Sequence, residues 1–365
     1  MAAALEPIPI FVTGDSGFAK QLRAAARSNP RFELLSIGDP VAADSGQAPR
    51  MGLIEFDIED DASVAALSKT YPGAGLILFG RLRAADRIAR ALERGGGHVL
   101  EYMPLPALET NGDSEKYIMG YVLPHVRNLA RALPASQGPD STAPDSPGAT
   151  SLPRPANRDR SQLSGRFDLC AIGVSAGGPR ALGKLLDLLP GSLNGGIIIA
   201  QHMPQGFTAQ LAQSLNKSAR LEVLEARDGM NVERGTVFLA PGGKHTTVRR
   251  RGDRIYLRVE DGPPHNHCQP SIDLLFRSLA QVIPTRTLAI LMTGMGADGC
   301  EGLRELKAAR AYSLAQNEAS CTIFGIPARA IEAGLIDEVL SIEGLADRVA
   351  ACLGSYDAAR ADARR

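Results

Sequence analysis

The residues whose types best suit chemistry are Ser175, His202 and Asp298, each behind an apolar run and beside a glycine- or proline-marked turn. A serine hydroxyl is a poor nucleophile at neutral pH unless a base takes its proton during attack, and histidine titrates in the right range. A carboxylate then fixes the imidazole tautomer and steadies the imidazolium. The three side chains therefore supply nucleophile, base and orienting acid for acyl transfer. Backbone N–H groups at the same turns, those of Ala176 and Met295, are candidates for holding the oxyanion, an effect worth roughly 3–4 kcal/mol per donor.

Each residue also has a plainer role open to it. Asp298 stands directly before a predicted helix beginning at Gly299, where an aspartate caps. Ser175 lies in Asp168-Leu-Cys-Ala-Ile-Gly-Val-Ser-Ala-Gly-Gly-Pro-Arg180. That stretch suits a nucleophile elbow, a phosphate cradle or a simple glycine turn with a capping serine. The chain order Ser, His, Asp differs from that of the α/β-hydrolases. A dinucleotide fold wants an acidic residue at the end of its second strand, where this chain has Gln201-His202.

The chain has 365 residues, enough for two domains, and its 40 basic and 40 acidic residues cancel. No global field draws it to nucleic acid or to an anionic membrane. Its five cysteines are scattered with no C-x-x-C pair, which points to a reducing compartment and no metal. His265, Asn266, His267 and Cys268 look like a metal cluster, but their spacing fits no common zinc pattern. The amino terminus lacks a signal-peptide pattern and no run is long enough to span a bilayer. A cytoplasmic protein with no cofactor and no membrane insertion is expected.

The elements that must position these residues alternate between strand and helix. In the first 133 residues strands are predicted at 8–12, 32–37, 51–56, 75–79 and 97–102, with helices at 18–27, 84–94 and 117–133. Phe18, Leu22 and Ala25 are expected to face inward from the first helix. Residues 134–164 are rich in Pro, Ser, Ala, Gly, Asp and Arg and read as a flexible linker. From 165 to 355 the alternation resumes, with a β-hairpin around Gly252-Asp253 and a solvated tail at 356–365. The prediction is an α/β protein of two doubly wound parallel-sheet domains, the first flavodoxin-like and the second Rossmann-like with a β-hairpin. In a parallel sheet the turns carrying Ser175, His202 and Asp298 share the carboxyl edge.

The second domain, from about Phe167 to Leu353, closely resembles the catalytic domain of the bacterial chemotaxis response-regulator protein-glutamate methylesterases. The motifs are Ile172-Gly-Val-Ser-Ala-Gly-Gly-Pro-Arg-Ala-Leu182, Gln201-His-Met-Pro-Gln-Gly-Phe-Thr208 and Leu239-Ala-Pro-Gly-Gly-Lys-His245. Pro270-Ser-Ile-Asp-Leu-Leu-Phe276, Leu291-Met-Thr-Gly-Met-Gly-Ala-Asp-Gly299 and Phe324-Gly-Ile-Pro327 follow in the same order. The resemblance implies Ser175 as nucleophile, His202 as base and Asp298 as its carboxylate. It implies hydrolysis of glutamyl γ-methyl esters, and deamidation of glutamines, on methyl-accepting chemotaxis receptors. A chemosensory histidine kinase is a further candidate partner. A silent adaptor that binds receptor or kinase is the competing class, and the three side chains argue against it.

In that family the first domain is a phosphoacceptor receiver, and here it resembles a degenerate one. Asp57 stands at the phosphoacceptor position and Asp15 is what remains of the acidic pair. Gly80 replaces the switch hydroxyl and Met103 the lysine. Losing a carboxylate, a hydroxyl and a cation weakens Mg²⁺ and phosphoryl binding together. The expectation is a docking or fixed regulatory module without an aspartyl-phosphate switch.

Overall fold

The computed structural model describes residues 7–13, 16–35, 51–55, 75–80, 98–104, 118–123, 126–127, 130 and 163–354. The chain divides into two compact units, Met1–Gly148 and Ala149–Arg365. Asp15, Asp57, the expected helix at 84–94, residues 134–162 of the expected linker and the tail after 354 lie outside the described residues.

The first unit holds β1 (Ile8–Thr13), α1 (Gly17–Arg27), β2 (Phe32–Leu34), β3 (Met51–Glu55), β4 (Gly75–Gly80) and β5 (His98–Pro104). They form a five-stranded parallel sheet in the order β2-β1-β3-β4-β5, the doubly wound arrangement expected of alternating strands and helices. Ser16 caps α1 by accepting from Ala19 N–H at 3.1 Å. The inward face of α1 is Ala19, Leu22 and Ala26 rather than Phe18, Leu22 and Ala25. The larger Phe18 sits half-buried at the margin of that face. A π-helical turn spans Ile118–Val122, and Ile118, Val122, Val126 and Ala130 are buried at i, i+4 spacing.

The second unit is organised by a seven-stranded parallel sheet. Its strands are β6 (Leu169–Val174), β7 (Gly196–Gln201), β8 (Glu222–Glu225), β9 (Thr236–Leu239), β12 (Thr287–Leu291), β13 (Tyr312–Gln316) and β14 (Glu338–Leu340). Their order is β14-β13-β12-β6-β7-β9-β8. The hairpin of β10 (His245–Arg251) and β11 (Arg254–Glu260) pairs antiparallel, as its Gly-Asp turn suggests. Helices α2 (Gly178–Leu188), α3 (Thr208–Ser218), α4 (Ile272–Val282), α5 (Cys300–Ala308), α6 (Ile326–Glu332) and α7 (Ile342–Leu353) connect them.

Every residue of β6, β7 and β12 is buried, which is why these strands read as continuous apolar runs with no alternation. On one face Leu169, Ala171, Ile198 and Leu291 pack with Ile272, Leu275, Phe276 and Leu279 of α4. Those four α4 side chains are fully buried, each contributing about 1.5–3 kcal/mol relative to exposure. β14 is a strand that the sequence pattern does not mark. It is three residues long and its Glu338 is buried against Tyr312 and Arg348, so no apolar run announces it.

Candidate active site

β6 and β7 end in register, Val174 opposite Gln201. His202 N–H continues the ladder by donating to Val174 O at 3.0 Å, so Ser175 and His202 leave adjacent strands at the same level. Gln201, buried, holds both turns: its Nε2 donates to Ser175 O at 2.9 Å and to His202 O at 3.0 Å. After Ser175 the chain turns through Gly177 at φ +76°, a conformation that glycine adopts without strain, and enters α2.

On the other side of β6 lies β12. Its continuation reaches the serine directly, with Ser175 N–H donating to Thr293 O at 3.0 Å. A side chain on Gly294 would put its Cβ 2.6 Å from Ser175 Cβ. Only glycine lets the two turns approach this closely. The amides of Ala176 and Met295 donate to no group among the described residues.

Asp298 closes the constellation. Its Oδ2 lies 2.7 Å from His202 Nε2 and accepts from Ile272 N–H at 2.7 Å. Its Oδ1 accepts from the Ser271 hydroxyl at 3.0 Å and from Asp273 N–H at 3.2 Å. Burial alone would raise this carboxyl, but the His202 hydrogen bond and charge, with the backbone donors, outweigh it and hold it below its ordinary value. The His202 ring feels the opposite balance. Burial favours its neutral form, yet the Asp298 and Cys268 contacts prevail and lift it to about 9.

Asp298 does not cap the helix that follows it. Gly299 N–H and Gly302 N–H, at the start of α5, donate instead to Asp273 Oδ1 at 3.0 and 2.7 Å. Asp298 serves the start of α4, and Asp273, on α4, serves the start of α5. The two carboxylates cap one another's helices, so the acid of the site is fixed by the packing of α4 on α5.

The structure brings Ser175, His202 and Asp298 to one edge of one sheet. Asp298 is hydrogen-bonded to the ring, whereas no hydrogen bond joins Ser175 Oγ to His202 among the described residues. Asp298 occupies Nε2, so Nδ1 is the nitrogen left for a proton. Cys268 Sγ stands 3.8 Å from Nδ1. Gln201, Ser271, Asp273 and the contact of Cys268 with the ring are features of the site that motif spacing does not single out. Ser271 could have been read as an N-cap from its place before Ile272. The capping by Asp273 is between residues far apart in sequence and carries no local signal.

A family profile described as CheB methylesterase matches residues 170–349. A protein-glutamate methylesterase/protein-glutamine glutaminase of Desulfotalea psychrophila is 41% identical over 338 residues, covering 88% of this chain and 92% of that one. One of Rhodopseudomonas palustris, ascribed to a group 3 operon, is 33% identical over 368 residues, 98% of this chain and 100% of that one. The crystal structure of the Thermotoga maritima CheB methylesterase catalytic domain aligns at a TM-score of 0.49 with 32% identity, covering 50% of this chain and 97% of that one. With 41% identity held over nearly the full length of both chains, this chain belongs to the protein-glutamate methylesterase/protein-glutamine glutaminase family.

Proposed function

We propose that this chain hydrolyses glutamyl γ-methyl esters, and the side-chain amides of glutamine, on methyl-accepting chemotaxis receptors, using Ser175, His202 and Asp298. The observation that carries the assignment of roles is the 2.7 Å contact between Asp298 Oδ2 and His202 Nε2 at the edge where Ser175 leaves β6. Nε2–H faces a carboxylate, so the lone pair of the neutral ring is on Nδ1. In this reading Ser175 Oγ attacks the δ-carbonyl carbon of the glutamyl ester while His202 Nδ1 takes the hydroxyl proton. The tetrahedral oxyanion is received by the amides of Ala176 and Met295. As it collapses the imidazolium returns its proton to the leaving oxygen, methanol departs, and the glutamyl group remains as an ester on Ser175. Water, deprotonated by Nδ1, releases the glutamate and restores the serine. With glutamine the leaving group is ammonia and the steps are otherwise the same.

Ser175 and His202 stand one step beyond a paired position of adjacent parallel strands, about 4.8 Å apart by ordinary strand spacing. Catalytic hydrogen bonds of this kind commonly tighten only when substrate is bound. Among the described residues no helix is long and apolar enough to cross a membrane. The test is methanol release from a methylated receptor fragment by the full chain and by Ser175→Ala. Loss of release to background in a variant that melts like the parent supports the reading; release that persists refutes Ser175 as nucleophile.

A further inference from the structure

Cys268 contacts the His202 ring, and the hydrolytic cycle leaves it without a task. It is held in place by a tight two-residue turn. His265 N–H donates to Cys268 O at 3.1 Å and Cys268 N–H returns to His265 O at 2.9 Å. Between them Asn266 and His267 take φ values of 50° and 64°. Asparagine visits the left-handed region readily, whereas His267 there costs about 1–2 kcal/mol, so contacts around the turn help to hold it. One such hold is visible: Asn266 Nδ2 donates to Asp273 Oδ2 at 3.3 Å, tying the turn to α4.

The result is a sulfur and a nitrogen facing each other across 3.8 Å. Two ligands of a tetrahedral zinc ion, at about 2.3 Å for sulfur and 2.05 Å for nitrogen, stand about 3.6 Å apart. The pair needs to converge by only a few tenths of an ångström to grip one ion. Asp298 sits on the far nitrogen of the same ring. A carboxylate hydrogen-bonded to the other nitrogen of a metal-binding histidine is the usual outer partner of such a ligand, fixing its tautomer and strengthening its donor atom. His202, Cys268 and Asp298 have donor atoms within 4.8 Å of one another. The His202 side chain is 14% exposed, so an ion can reach it.

We propose that a soft divalent cation, with Zn²⁺ the best match to the donor set, binds between His202 Nδ1 and Cys268 Sγ and switches the hydrolase off. Thiolate and imidazole donors select such an ion over Mg²⁺, which prefers oxygen. Binding sends the thiol proton to solvent, and water or the Ser175 hydroxyl completes the coordination. The Nδ1 lone pair that holds the ion is the one that would accept the serine proton. Metal and catalysis therefore exclude each other. Inhibition rests on His202 being the base; binding does not.

The full chain, stripped with a chelator, is titrated with Co²⁺, and the near-ultraviolet thiolate-to-cobalt band is recorded for the parent, Cys268→Ser and Cys321→Ser. One equivalent of band, bleached by Zn²⁺, lost in Cys268→Ser and kept in Cys321→Ser, is the expected result. Methanol release is then followed in buffered Zn²⁺ and in Mg²⁺. Zn²⁺ should inhibit reversibly with EDTA while Mg²⁺ does not. The Zn²⁺ needed for half-inhibition should rise at least tenfold in Cys268→Ser, relative to its own metal-free rate. A parent without the band, or a band surviving in Cys268→Ser, overturns the site. A normal band with an unaffected rate overturns the switch. A metal-free parent that releases no methanol refutes the hydrolase reading instead, leaving the spectrum to judge the site.

Discussion

Replacing Asp298 by asparagine separates what this residue does for the fold from what it does for the reaction. The carboxylate accepts from four donors, two on each oxygen. An asparagine keeps one oxygen and must turn its NH₂ toward one of the two donor pairs. On the Oδ1 side it faces Asp273 N–H, and on the Oδ2 side Ile272 N–H. Either way one buried backbone donor loses its acceptor, at about 1–3 kcal/mol, and the start of α4 loses an anion worth about 0.3–1 kcal/mol. Stability should therefore fall by about 1–4 kcal/mol, read from urea melts.

The catalytic cost has a different source. Losing a charge-assisted hydrogen bond of about 1.5–3 kcal/mol to the imidazolium slows the chemical step by about 10- to 150-fold. If the NH₂ faces Nε2, the ring shifts its proton to Nδ1 and has no lone pair for the serine, and the loss approaches the roughly 10⁴-fold seen when a triad aspartate becomes asparagine in serine proteases. The pH dependence supplies a third reading. In the parent, kcat/KM for methanol release should rise with pH up to about 9, since the base must be neutral. In Asp298→Asn burial is no longer outweighed, and the midpoint should move down. The sign for stability follows from the same shift. The His202 ring is raised above its ordinary value of 6.5, so its pairing stabilises fully below that pH and is lost as pH rises through about 9. A variant that loses the expected stability but keeps kcat/KM within tenfold and the parental midpoint would refute the orienting role.

Two further substitutions probe the framework. In Gly294→Ala the new Cβ would stand 2.6 Å from Ser175 Cβ and 2.8 Å from Ile326 Cδ1, about 1 Å inside ordinary contact. Overpacking of about 1–3 kcal/mol and a kcat about 10²-fold lower through the displaced serine are expected; unchanged kcat would show that the contact does not set the hydroxyl. Asp273→Ala strips the acceptor from Gly299 N–H and Gly302 N–H at about 1–3 kcal/mol each. Melts should show a loss of about 2–6 kcal/mol, and a loss under 1 kcal/mol would mean that water replaces the carboxylate.

The sequence made the sheet of the second unit legible because its central strands are buried on both faces and therefore apolar throughout. Glycine- and proline-marked turns then placed Ser175, His202 and Asp298 on one edge. Long-range geometry was beyond its reach. Nothing in the sequence says that Asp298 meets Nε2 rather than Nδ1, because that depends on how α4 seats against the turn after β12. Cys268 was visible as one of a cluster of metal-like residues, but its facing His202 depends on a turn with two left-handed residues. For α1, Phe18 looked the natural inward residue, and the register of the Ser16 cap decided for the alanines.

The exchange of caps between the two helices has an evolutionary reading. A descendant that abandoned hydrolysis would still need an acid at 298 to start α4, so selection for folding alone would preserve it. Its survival in a homologue would be no sign of a working enzyme, and the hydroxyl at 175 and the ring at 202 are the positions whose erosion would betray retirement.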